Sequence, residues 1–255
     1  MNHHKLINRI KTIIFPNGEN YVFAKNNLRF KVGSRPIRRK YITSDTDTVR
    51  NDVLQIEYME NTFTSSDVLW DIGSHYGHYS IFAAAVVKGP DQVFSFEPDP
   101  DAREIQKRNI SMNKMDAKIN VMDIAISDIN GTLMLSSNKG DSTSHLVKNN
   151  QVETGNKIIP VKSRTLNNLL TVITVPTFVK IDTEGAEIDI LSQASNLLEN
   201  KNIRFICELH PFAWQLFDVK FEQLIELLNR YNRELTLLDP RKKNIDLPYY
   251  GTILF

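Results

Sequence analysis

The sequence predicts an α/β protein: a mostly parallel sheet with helices on both faces. Three observations predict it. Residues 67–82 read as a short apolar run, a glycine turn and the first turns of a helix. From there to His210, apolar runs of strand length alternate with helical patterning, which calls for parallel strands joined by right-handed crossovers. Several of those runs end in an acid, among them Asp71, Glu97, Asp123 and Asp182, and the carboxyl edge of an open α/β sheet is where ligands bind.

Taken in order, residues 1–62 form an N-terminal segment, read as a cap on the substrate side of the sheet, and residues 63–255 form the main domain. Met1–Phe15 is amphipathic and lacks a signal-peptide core. Leu28–Val32 alternates in strand fashion, and the basic cluster Arg35, Arg38, Arg39 and Lys40 reads as a solvated surface. Val49, Val53, Ile56 and Met59 recur at helical spacing up to Phe63. The first core strand is Val68–Ile72, and helical patterning resumes at Tyr79, Phe82, Ala83, Val86 and Val87. The next apolar run, Val93–Glu97, is the second strand and ends in Glu97. Pro98-Asp99-Pro100-Asp101 then opens a helix, with proline in its first turn and acids at its positive end.

Ile119–Ala125 reads as strand three. Between Ser127 and Arg164 the pattern changes: Asp128–Gly131 is a turn, and Thr132–Ser136 and Ile158–Ser163 look like strands. The loop insertion between them, residues 138–156, is polar, and a loop of that length inside a compact domain is either functional, here as a lid over the site, or disordered. A short helix over Thr165–Val172 precedes strand four, Phe178–Asp182. Glu184 and Glu187 follow near a helix N-terminus, where acids are favourable for dipole reasons alone. Strand five, Ile203–Leu209, leads to His210 at its mouth. A helix near Phe221–Tyr231, a strand at Leu235–Leu238 and a last strand at Gly251–Phe255 make a terminal hairpin plausible.

The glycine turn bears on the ligand. A pyrophosphate-binding turn reads G-x-G-x-x-G and offers bare amide donors; here Asp71 opens the loop, giving D-x-G-x-x-x-G. A carboxylate repels pyrophosphate and attracts a cation. S-adenosylmethionine carries an ammonium and a sulfonium and no phosphate. Glu97 stands twenty residues past Gly77, where a strand-two carboxylate bonds a ribose diol. Asp123 and Ala125 stand where the third strand of a nucleoside-binding sheet meets adenine.

Composition excludes several classes. The 41% hydrophobic and 24% charged fractions are those of a soluble globular protein, and the net charge of +1 gives no bulk case for nucleic acid or membrane binding. The single cysteine, Cys207, excludes a disulfide framework and reads as a buried hydrophobe. No apolar stretch is long enough for a stable membrane insertion. A cytoplasmic protein is expected.

Five blocks in order resemble one family: Asp71-Ile72-Gly73 with Gly77-x-Tyr79-Ser80; Phe96-Glu97-Pro98; Ala125-Ile126-Ser127-Asp128-x-x-Gly131; Lys180-Ile181-Asp182-x-Glu184-Gly185-Ala186-Glu187; and Glu208-Leu209-His210. The chain is similar to FkbM-type, class I methyltransferases dependent on S-adenosylmethionine. It departs from their pattern at His75, where asparagine is common, and at Asn167, where an acid is usual. The resemblance implies a Rossmann-like, seven-stranded sheet whose final strand is antiparallel, inserted by the C-terminal hairpin. It also implies methyl transfer to a hydroxyl on a sugar, glycolipid or secondary metabolite. Cofactor contacts are then expected from Asp71, Gly73, Ser74, His75, Gly77, Tyr79 and Ser80, from Glu97 and Pro98, from Asp123, Ile124 and Ala125, and from Asp182. Asp71 would lie near the methionine amino group.

Attack by an alcohol needs a general base or a metal. The catalytic candidates are Asp182, Glu208 and His210, with His210 as base and Asp182 orienting it or taking the proton. The same three side chains are a possible but not favoured divalent metal site. Ser144, His145 and Glu184 are the candidate acceptor contacts, and the expected partner is a small-molecule or glycan hydroxyl, with no nucleic acid. Two rival readings are an NAD-dependent Rossmann oxidoreductase and a binding domain that kept the fold without chemistry.

Overall fold

A computed structural model of the chain describes residues 11–14, 20–23, 29–31, 47–137, 144–148, 156–242 and 250–255. The basic cluster at residues 35–40 and parts of the expected lid, residues 138–143 and 149–155, lie outside these. A small antiparallel sheet comes first: β1 (Lys11–Ile14), β2 (Asn20–Phe23) and β3 (Arg29–Lys31). Helix α1 (Asp47–Thr62) follows, and then the expected alternation: β4 (Leu69–Ile72), α2 (His78–Val86), β5 (Val93–Phe96), α3 (Pro100–Met112) and β6 (Ile119–Met122). The start of α3 is built as its sequence dictates, with Pro100 in the first turn and the Asp99 side chain accepting the Asp101 N–H at 2.9 Å.

A second sheet interrupts the alternation: β7 (Ile124–Ile126), β8 (Gly131–Ser137), β9 (His145–Val147) and β10 (Lys157–Arg164), in the order β7-β10-β8-β9. The single third strand read from sequence is therefore two strands. β6 pairs with β5 in the main sheet and β7 pairs with β10 in the second, and Asp123 is the one residue between them. Part of the expected loop is also strand, since β9 pairs antiparallel with β8. Then come α4 (Leu166–Leu169), β11 (Phe178–Ile181), α5 (Glu187–Ser192), α6 (Ser195–Glu199), β12 (Arg204–Leu209), α7 (Phe221–Arg230), β13 (Thr236–Leu237) and β14 (Gly251–Leu254).

The main sheet has seven strands in the order β13-β14-β12-β11-β4-β5-β6. From β12 to β6 neighbours are parallel, while β14 runs antiparallel to both β12 and β13, inserted between them by the terminal hairpin. This is the architecture the resemblance implies.

The period-two alternation of the strands sorts side chains into two cores. Trp70 and Ile72 of β4, Val179 and Ile181 of β11, and Phe205, Cys207 and Leu209 of β12 face α5, α6, α7 and the second sheet. Leu69, Phe178 and Ile206 face the other way, against Met59 and Phe63 and against α2. That second face is not uniformly apolar. Asp71 and Lys180 lie side by side in the register of β4 and β11 on the same face, and both are fully buried. Near the carboxyl edge, Glu208 of β12 stands opposite Thr252 of β14. The polar row these residues begin is what positions the site.

Among the described residues, no helix is long and apolar enough to cross a membrane.

Candidate active site

The cleft begins where β4 ends. Gly73 has φ 71°, and a Cβ on it would meet the carbonyl oxygen of Asp182 at 1.9 Å. Only glycine lets the turn pass so close to the end of β11. The Gly73 and Ser74 N–H groups both donate to the Phe96 carbonyl at 3.1 Å, which draws the turn across β5. His75 then sits at φ 47°, a left-handed conformation in which asparagine and histidine are enriched, so the departure from the family's usual asparagine keeps the turn.

The turn is held by Glu97. Its Oε2 accepts the His75 N–H and its Oε1 accepts the Asp99 N–H, each at 2.8 Å. Burial pushes the Glu97 carboxyl up to about 7, against the two backbone donors that favour its charged form. Glu97, His75 and Pro98 line the cleft together with the apolar Phe96, Ala125, Ile126 and Leu135. Across from them lie Ser144, His145, Asp182 and Glu184. Asp99 fixes one wall: its Oδ2 accepts from Ser137 at 2.8 Å and from Ser144 at 2.7 Å.

Several expected cofactor contacts fall behind this lining. The Ser80 hydroxyl donates to Asp71 at 2.6 Å, the Tyr79 hydroxyl donates to Asp52 at 3.1 Å, and Ser74 accepts from Gln106 at 2.7 Å. Asp71 is fully buried, and its Oδ1 has no hydrogen-bond partner among the described residues. Ile124 is core, and Asp123 is exposed on the crossing between the two sheets. Asn167, the other departure, donates to Ser195 at 2.8 Å and accepts the Asn196 N–H, pinning α4 to the start of α6.

The candidate catalytic residues converge. His210 is 3% exposed, and its Nε2 lies 3.7 Å from Asp182 Oδ1 and 3.9 Å from both Glu184 Oε1 and Glu208 Oε1. Its Nδ1 lies 2.9 Å from Glu187 Oε1, while the other Glu187 oxygen accepts the Trp214 indole N–H at 2.9 Å. Burial alone would lower the imidazole's pKa. Glu187, then Asp182 and Glu184, outweigh it and raise the value to about 10. Sequence reasoning expects His210 as the base, yet in these surroundings it holds a proton at neutral pH.

Glu184 faces the same imidazole. Burial, with Asp182, Glu187 and Glu208 adding to it, raises its carboxyl to about 7 despite His210. Lys180 serves the neighbouring acid. Its Nζ donates to Asp182 at 2.8 Å and lies 4.1 Å from the centre of the Tyr79 ring. Burial opposes its charge, but Asp182 and Asp71 outweigh that and hold the ammonium above its ordinary range. Asp182 is held low by Lys180 and His210 against its own burial.

Asp182, Glu208 and His210 offer ligand atoms within 4.8 Å of one another, so they have the spacing of a metal site. However, both Glu208 oxygens accept protein hydrogen bonds, from Gln55 at 2.7 Å and Tyr250 at 2.9 Å. Gln55 and Asp52 are contributions of α1 that no motif announces. Lys180 and Glu187 stand in one of the blocks that resemble the family, but nothing in the sequence names their partners, Asp182 and Asp71 for the one and His210 and Trp214 for the other.

Comparison with known proteins identifies the family. A family profile described as the Methyltransferase FkbM domain matches residues 71–235. The hexuronic acid methyltransferase AglP of Haloferax volcanii is 28% identical over 159 residues, covering 56% of this chain and 56% of AglP, so the match spans little more than half of that relative. The crystal structure of Methyltransferase FkbM from Methylobacillus flagellatus aligns with 83% of this chain and 55% of its own, at 17% identity and a TM-score of 0.48. The precorrin-6y C5,15-methyltransferase of Geobacter metallireducens aligns over 80% of this chain and 85% of its own, at 12% identity and a TM-score of 0.45. With its seven-stranded class I architecture and a profile match over most of its length, the chain belongs to the FkbM methyltransferase family.

Proposed function

We propose that the chain transfers a methyl group from S-adenosylmethionine to a hydroxyl of a sugar or sugar-bearing acceptor. The observation that carries this reading is the position of Asp182 and Glu184, which line the cleft and at the same time face His210. One side of these acids fits a nucleoside and the other fits an acceptor.

The residues present fit the cofactor. The apolar wall of Ala125, Ile126 and Leu135 suits a flat base, and the Glu97 carboxylate suits a ribose diol. Among the described lining residues the formal charges are the carboxylates Glu97, Asp99, Asp182 and Glu184, which favour a cationic ligand and oppose the pyrophosphate of NAD. Bound there, S-adenosylmethionine supplies a methyl group on a sulfonium. The chain's own residues supply the rest. Glu184 takes the acceptor's hydroxyl proton as the oxygen attacks, and passes it to solvent through a side chain that is 23% exposed. His210, charged and held by Glu187, orients Glu184 and Asp182 and keeps its own proton. Lys180 keeps Asp182 ionised. Positioning of the oxygen in line with the methyl carbon supplies much of the rate. The hexuronic acid methyltransferase among the relatives supports a sugar acceptor.

Calorimetric titration with S-adenosylmethionine and S-adenosylhomocysteine tests the first half. Saturable binding is expected, with Glu97→Ala weakening it while the fold survives. A labelled-methyl assay over hydroxylated acceptors tests the second half. No binding of either cofactor form would overturn the reading.

A further inference from the structure

We propose that Phe212 and Tyr250 form the stacking wall of the acceptor subsite, and that this subsite takes a sugar without an acid group, either neutral or amino-substituted. The proposal rests on the methyl-transfer reading above and names the acceptor class for it.

Phe212 is 62% exposed, whereas the other phenylalanines between residues 63 and 255 are buried or half-buried. It follows Pro211 just past the end of β12, beside the least exposed part of the site. Its ring meets His210 edge-on, with centroids 5.6 Å apart at 88°, and stands 6.3 Å from the Tyr250 ring at 45°. Tyr250 in turn lies 5.7 Å from His210. Phe212 and Tyr250 thus make an aromatic wall beside the imidazole. The Tyr250 hydroxyl donates to Glu208, which fixes the orientation of its ring from behind. The cleft lining reaches Asp182 and Glu184, both of which face His210. The wall and the cleft therefore meet at His210.

Two adjacent aromatic rings beside convergent polar groups suit a ligand with one apolar face and several hydroxyls. A pyranose matches it. Its C–H face packs on an aromatic ring while its hydroxyls point outward at fixed angles, here toward Glu184 and Asp182. A flat aromatic acceptor would use the ring but offer the carboxylates fewer hydroxyls.

Charge selects among sugars. Four carboxylates, Asp182, Glu184, Glu187 and Glu208, face His210. Set against them are His210 itself, Lys180, whose Nζ is already bonded to Asp182, and His75, which also favours the ionised form of Asp182. A uronate would bring a further negative charge into a site with an anionic excess, whereas an ammonium or hydroxyl would be favoured.

The test uses the full chain loaded with S-adenosylhomocysteine and three probes: methyl glycosides of a neutral hexose, a 2-amino-2-deoxyhexose and a hexuronic acid. Saturation-transfer NMR reads binding of each. The neutral and amino glycosides are expected to bind and the uronide to bind more weakly than either. Phe212→Ala should weaken the first two by about tenfold or more, Phe212→Trp should retain them, and S-adenosylhomocysteine affinity should be unchanged in both variants. The proposal is overturned if the uronide binds as tightly as the others, if Phe212→Ala changes nothing, or if S-adenosylhomocysteine binds and no glycoside does. Phe212-dependent glycoside binding without S-adenosylhomocysteine binding would keep the subsite and remove the methyl-transfer reading. Binding of neither ligand removes both.

Discussion

Glu187 grips His210 and Trp214 at once, one carboxylate oxygen 2.9 Å from the imidazole Nδ1 and the other 2.9 Å from the indole nitrogen. Its side chain is fully buried, and the Gly185 N–H adds a further bond at 2.9 Å. A buried carboxylate with this many donors is a fixed anchor, so the imidazole it holds is fixed in orientation and charge. Nε2 is thereby aimed at the acids of the cleft.

Replacing Glu187 by glutamine should release that charge. The His210 pKa, raised to about 10 by the partners that outweigh its burial, should fall toward or below its ordinary 6.5. Because the folded-state value lies above the unfolded one, the wild-type contribution to stability is complete below pH 6.5 and fades as pH rises toward about 10. Thermal melts across that window should show a decline in the wild type that is much smaller in Glu187→Gln, with imidazole NMR reporting the shift directly.

Glu184→Gln should remove the proton acceptor. With the carboxyl near 7, wild-type kcat/KM is expected to rise with pH through neutrality as Glu184 ionises. Glu97 and Asp52 are raised into the same range by burial, so the diagnostic is the difference between variants. Glu184→Gln should lose roughly 100-fold in rate while S-adenosylhomocysteine affinity stays within a few-fold. A rate and pH profile equal to wild type would reassign the base.

Lys180→Met should destabilise the fold by roughly 3 kcal/mol, because removing one member of a buried ion pair leaves its acids uncompensated. The loss should be largest at neutral and higher pH, where Asp182 and Asp71 would have to stay charged or take up protons. Urea unfolding at two pH values measures this. A pH-independent loss would mean that only the packing of the lysine stem under the Tyr79 ring had mattered.

Gly73→Ala should cost about 2 kcal/mol or more, since the left-handed backbone at that position is penalised for any other residue. The added methyl would also fall 1.9 Å from the Asp182 carbonyl, so the turn and β11 must separate. Reduced S-adenosylmethionine affinity is expected along with the lower unfolding midpoint. Gly131→Ala is a useful comparison, because its φ of 152° also disfavours a side chain while a Cβ there meets nothing within 4 Å.

Much of the architecture was legible because it depends on local periodicity. β4, β5, β11 and β12 are short apolar runs between helical segments, and each lies within about a residue of its expected span. The turn at Gly73 and Gly77 was legible because positive φ demands particular residues. The run Ile119–Ala125 was misread as one strand, because its hydrophobicity does not say that it changes sheets at Asp123. His145–Val147 was hidden within a polar loop, since three residues of β9 carry too little periodicity to register.

The sequence by itself determined the order of strands and helices, the glycine turn, and the acids at the strand ends, because each is encoded within a few neighbouring residues. The tertiary structure alone decided what those acids do. Asp71 pairs laterally with Lys180 across 109 residues of chain, Glu208 is held by Gln55 and Tyr250 from opposite ends of the chain, and His210 is charged by Glu187. Burial and the sum of neighbouring charges set a proton's affinity, and both are properties of the packed molecule that no single stretch of sequence carries.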